Sequence, residues 1–117
     1  MKYVIYQLKR EEDCPGNSMR LFNSMRLNQS LGLPVEPERY EPVYEGIHNG
    51  VSMLDHINML EWVFRKFNTD HPHDFRGHSL SVSDIVVLYG TRSDAYYCDS
   101  IGWVPVPDFY KAIEKGA

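Results

Sequence analysis

The chain has 117 residues, of which 43% are hydrophobic and 24% charged, the profile of one globular domain long enough to bury roughly two-thirds of its unfolded surface. A formal net charge of −4 excludes the Lys/Arg surplus of a sequence-independent nucleic-acid binder, leaving only small basic pairs at Arg20 with Arg26 and at Arg65 with Lys66. No run approaches eighteen apolar residues and no apolar leader precedes a small-residue cleavage site, so no membrane role is expected and a cytoplasmic location is.

Lys2 to Leu8 reads as a strand of β-branched and aromatic residues, ended by the charged cluster Lys9 to Asp13. Cys14-Pro15-Gly16-Asn17 is turn chemistry. Asn23 or Ser24 caps a short helix running to about Leu31, with Gly32 at its left-handed stop and Pro34 preventing continuation. Tyr40 to Gly46 reads as a second strand, which Pro42 pushes to a sheet edge. The acidic residues Glu36, Glu38, Glu41 and Glu45 around it form a solvated face that discourages strand addition.

Ser52-Met53-Leu54-Asp55 has a capping-box pattern and opens the main helix, predicted over 52–67. At 100° per residue, Met53, Ile57, Leu60, Phe64 and Phe67 make the core face, with His56 and Val63 at a margin. Trp62 points almost the opposite way, with Met59 nearby. It either lies under the polar loop Asn68–His78 that follows or marks a contact site for a partner.

Strands near 83–90, 94–99 and 101–106 form a meander, and the first of these is apolar on both faces and therefore central. Pro107 and Asp108 open a last short helix, Phe109 to Lys115. The fold expected is α+β: a single domain over residues 1–117, with about five strands in a mixed or largely antiparallel sheet, one main helix and short flanking helices.

Three sets of residues invite a chemical reading. His71, His73 and His78 stand in one loop with Asp70, Asp74 and Asp84 near by, but His-x-His across Pro72 lacks the spacing of a zinc motif. Ser79, Ser81 and Ser83 beside His78 carry no Gly-x-Ser-x-Gly elbow, and adjacent residues of an extended chain point apart. Ser and Asp side chains bonding backbone amides in a turn, with Asp84 structural, is the reading preferred. Cys98 reads as a small buried hydrophobe and Cys14 as exposed, both reduced.

Asp70-His71-Pro72, Asp74-Phe75 and the string Gly77-His78-Ser79-Leu80-Ser81-Val82-Ser83-Asp84, leading into Ile85-Val86-Val87-Leu88, resemble the hallmark of the YodL-like domain family. Tyr96-Tyr97-Cys98-Asp99-Ser100, Ile101-Gly102-Trp103 and Val106-Pro107-Asp108-Phe109 fit the same pattern, as does Val43-Tyr44-Glu45-Gly46 upstream. Cys98 stands where an aliphatic residue is expected and Trp103 where Phe is expected, both keeping the apolar character. The resemblance implies a small intracellular protein of Gram-positive bacteria (Firmicutes), of a type that recurs within mobile elements. It supplies no enzymatic activity, cofactor or catalytic residue.

The function expected is therefore a non-enzymatic protein-interaction or regulatory module. Its unidentified protein partner would meet an aromatic surface made of Trp62, Met59, Tyr96, Tyr97 and Trp103. The alternative is a nucleic-acid-associated accessory protein of a mobile element, and the third reading is a metal-binding protein or enzyme using the His71/His73/His78 loop. No cofactor is expected.

Overall fold

The computed structural model describes residues 1–50, 52 and 55–116. Among them the regular elements are β1 (Lys2–Leu8), α1 (Met25–Leu31), β2 (Tyr40–Ile47), α2 (His56–Thr69), β3 (Ile85–Tyr89), β4 (Asp94–Cys98), β5 (Trp103–Pro105) and α3 (Pro107–Gly116), with single 3-10 turns at Asn17–Met19 and Pro37–Arg39. The five strands make one sheet in the order β2-β1-β3-β4-β5, and every neighbouring pair is antiparallel. The α+β architecture read from the sequence is the one observed.

β3 is the middle strand, as its apolar residues on both faces require. Ile85, Val86, Val87 and Leu88 are all fully buried. Alternation divides them: Val86 and Leu88 join Tyr3, Ile5 and Tyr96 on one face, and Ile85 and Val87 join Tyr40, Ala95 and Tyr97 on the other. The first face is covered by Met59, Leu60, Val63 and Phe67 of α2 and by Phe75 and Leu80 of the loop after it. The second is covered by Phe109 of α3, with Met25 of α1, Val35 and Ile113 packed around. The result is three layers, helix on sheet on helices, with two cores of full burial.

β2 is an edge strand, as Pro42 requires. The β1–β2 register slips between Ile5, opposite Tyr44, and Tyr6, opposite Pro42, so Val43 is an extra residue and the strand bulges beside the proline. α1 has the predicted ends. The Ser24 hydroxyl accepts from the Leu27 amide at 3.1 Å, and Gly32 stops the helix at φ 68°.

α2 departs from its expectation in two ways. It begins at His56, with the Asp55 carboxylate as the cap, accepting from the Asn58 amide at 3.1 Å. The Ser52 start is thus replaced by one a turn later, with Asp55 in place of Ser52 as the capping side chain. Met53, placed on the core face by the sequence, lies outside the described residues. The face turned inward is His56, Met59, Leu60, Val63 and Phe67, rotated by roughly 60° from the one expected at 100° per residue. Ile57 and Phe64, expected in the core, are 64% and 40% exposed. The apolar sector of α2 runs from Met59 through Val63, Phe67 and Leu60 to Phe64 and Ile57, wider than one contact face, and the sheet takes its Met59 end.

Candidate functional site

The rotation of α2 redistributes the aromatic surface expected from the sequence. Met59 is fully buried, and Tyr96 and Tyr97 are 6% and 1% exposed, so none of the three is available to a partner. Tyr96 and Tyr97 are neighbours on β4 and enter different cores. Tyr96 Oη meets His56 Nδ1 at 2.7 Å, and Tyr97 Oη donates to the Asn23 carbonyl at 2.6 Å while accepting from Asn28 Nδ2 at 3.0 Å. Trp62 is half-buried: its indole stacks flat on His48, centroids 3.7 Å apart, meets Tyr3 edge-on, and packs against the core cluster that includes Phe75 of the Asn68–His78 loop. Trp103, on the edge strand β5, is half-buried and meets Phe64 edge-on at 6.4 Å. Trp62 and Phe64 leave α2 on opposite flanks, toward β2 and β5 respectively. One expected surface therefore resolves into two, of which the β5 flank carries Ile57, Phe64 and Trp103.

The histidines of the loop are also separated. His71 and His73 are exposed, with His71 against its own Pro72 carbonyl and the Phe75 ring. His78 is held elsewhere. Among the described residues no group of three His, Cys, Asp or Glu side chains is placed to hold a metal ion.

What holds His78 is a polar knot at the ends of β1 and β3. Asp84 has no exposed surface. Its Oδ2 accepts from the Ser81 amide at 2.8 Å and from Gln7 Nε2 at 3.0 Å, and the Asp84 amide donates back to the Ser81 carbonyl at 3.1 Å. This is the local side-chain-to-backbone turn anticipated from the sequence. Gln7 Nε2 places its second proton on the His78 carbonyl at 2.8 Å. Asp84 Oδ1 has no hydrogen bond and faces His78 Nε2 at 3.8 Å. Burial pushes the Asp84 carboxyl up to about 8, against the downward pull of the Ser81 amide and the Gln7 amide. His78 Nδ1 donates to the Ser79 carbonyl at 2.7 Å, so this nitrogen is engaged with backbone and not with a serine hydroxyl.

A family model for the YodL-like domain matches residues 2–109. The chain belongs to the YodL-like domain family. No curated protein and no solved structure matches it. In the YodL-like domain the string Gly77–Asp84 thus has a definite task. It crosses from α2 to β3, fastens itself to β1 through Gln7, and seats Ser83 against the Cys98 carbonyl. Gly77 is required there: a Cβ at this position would lie 2.2 Å from Gln7 Oε1. Gln7 was not singled out from the sequence, although a polar residue at an inward position of an apolar strand is a signal that could have found it.

Proposed function

We propose that this YodL-like domain is a non-enzymatic protein-interaction or regulatory module that binds another protein through the β5 flank of α2. The observation carrying the reading is the pair Ile57 and Phe64, large apolar side chains 64% and 40% exposed, two turns apart on one side of a helix whose core face is complete without them. Trp103 lies against Phe64 and supplies the aromatic anchor typical of residues that dominate binding energy. The cellular setting, inside Gram-positive bacteria and within mobile elements, is what the family resemblance implies.

The nucleic-acid reading has less support. It needs cations around an accessible aromatic face, whereas Tyr96 and Tyr97 are in the cores and Arg20 is held by Glu36 Oε1 at 3.5 Å and the Gly16 carbonyl at 2.7 Å. Lys66 lies beside Asp70 at 3.4 Å. No membrane partner is proposed, and no described helix is long and apolar enough to cross a bilayer.

The test is affinity capture from a bacterial extract with the wild-type domain, Ile57→Glu/Phe64→Glu, and Ile47→Glu, the last altering an exposed apolar residue at the far edge of the sheet. A protein retained by wild type and Ile47→Glu, lost with the double variant and insensitive to salt is the expected result. Retention by all three overturns the assignment of the face. Retention that collapses as salt is raised from about 50 to 200 mM points to nucleic acid instead.

A further inference from the structure

A groove of about 470 Å³ opens beside the polar knot, within the roughly 300–1,000 Å³ range of small-molecule sites. Its floor is the cross-strand pair Gln7 and Glu41 of β1 and β2, and its walls are Arg76, Gly77 and His78 on one side and Arg10 on another. Leu8, Pro42 and Val43 give it an apolar end at the β2 bulge.

The charges in this groove are unspent. Arg76 and Glu41 make no ion pair with any other described residue, and Arg10 reaches only Glu12, at 3.9 Å between two side chains that are 82% and 69% exposed. Opposite charges lining one groove without closing on each other leave room for a ligand that bears both. Gln7 adds a fixed acceptor. It is 3% exposed, and both protons of its Nε2 are committed, to the His78 carbonyl and to Asp84. Its Oε1 is left to accept, packed into the space that a side chain on Gly77 would fill.

We propose that this groove binds a small zwitterion of the α-amino-acid class, its ammonium on Glu41 and Gln7 Oε1, its carboxylate on Arg76 and Arg10, and an aliphatic side chain over Leu8, Pro42 and Val43. The knot behind it makes the site rigid: the Arg76–His78 wall is fastened to β1 by Gln7, and His78 is backed by the Phe22 ring, edge-on at 6.1 Å. A fixed acceptor lowers the ordering cost of binding. β3 and β4 lie between β1 and β5 in the sheet, so the groove is a different surface from the β5 flank of α2 and stands or falls apart from the protein-binding reading.

The test uses the whole chain, labelled with nitrogen-15, titrated with L-leucine, with leucinamide (no carboxylate) and with N-acetyl-L-leucine (no ammonium). L-leucine is expected to shift the Gln7 side-chain amide and the Gly77 backbone amide saturably, with the two blocked analogues weaker by roughly tenfold or more. Arg76→Gln should bring L-leucine down to the level of leucinamide, and Glu41→Gln to that of N-acetyl-L-leucine. Both residues are exposed and both variants are expected to fold, which the dispersion of the same spectra checks. No saturable shift with L-leucine, or equal shifts with all three probes, overturns the proposal.

Discussion

Phe22 and Ser83, the two non-glycine residues with left-handed backbone among those described, are hydrogen-bonded to each other: the Phe22 amide donates to Ser83 Oγ at 3.2 Å. Their φ values are 65° and 88°, conformations that cost an L residue roughly 1–2 kcal/mol. They differ in exposure, since Ser83 is fully buried and the Phe22 ring is 58% exposed. Asparagine tolerates left-handed backbone. Phe22→Asn should therefore be neutral or stabilising by up to about 1 kcal/mol in urea denaturation. Ser83→Ala keeps the strain, removes the acceptor and should cost about 1–2 kcal/mol. A large loss from Phe22→Asn would instead locate stability in the ring's contact with His78.

Asp84 gives a pH dependence with a definite sign. Its carboxyl titrates at about 8 in the fold against an ordinary value of 3.8. Between those values the folded chain keeps a proton that the unfolded chain has released, so this group's contribution to stability falls as pH rises from about 4 to about 8 and levels off above. Asp84→Asn preserves an acceptor for Ser81 and Gln7 without the charge. It should be more stable than wild type at about pH 8 by at least ~1 kcal/mol, the gap closing toward about pH 5. Denaturation curves at the two pH values decide it, and a gap that is constant or reversed rejects the burial argument.

The cysteines should differ sharply in reactivity. Burial pushes the Cys98 thiol up to about 12, and the residue is 4% exposed. Cys14 is half-buried, with Arg39 Nη1 3.5 Å from its sulfur. Under native conditions iodoacetamide should label Cys14 alone, with Cys98 modified only after unfolding. Mass spectrometry of the labelled peptides reads this directly.

Tyr97 couples α1 to the sheet through one hydroxyl. It donates to the Asn23 carbonyl and accepts from Asn28, whose carboxamide oxygen in turn accepts from Asn23 Nδ2 at 3.0 Å. Tyr97→Phe keeps the ring and leaves these buried partners unsatisfied, for an expected loss of about 1–3 kcal/mol. Hydrogen exchange should show the loss concentrated in Met25–Leu31.

The sequence disclosed most of the architecture because strand signals here are local. The apolar run Ile85–Leu88 announces a central strand, Pro42 an edge and Ser24 with Gly32 the ends of a helix. The aromatic surface was less legible. α2 carries Ile57, Trp62 and Phe64 outside its core face, so its periodicity alone does not choose the inward sector. Strand alternation does show that Tyr96 and Tyr97 belong to opposite faces of the sheet, a signal present in the residues themselves. The knot depends on a bond between Gln7 and Asp84 across 77 positions, and nothing local to either residue reports it.

The strand order has a consequence for how the domain comes into being. β1 precedes the other four strands of the sheet in chain order, yet it sits between β2 and β3, and its second neighbour begins only at Ile85. Until residues 85–89 are available, Tyr3 and Ile5 have no β3 side chains to pack against and one edge of β1 stays open. The β3-β4-β5 meander pairs strands that are near in sequence, whereas joining β1 to β3 is a long loop closure of the kind that lowers folding rates. A nascent or destabilised chain thus exposes Lys2–Leu8 for longest, and this segment is where chaperone binding and misassembly are expected to concentrate.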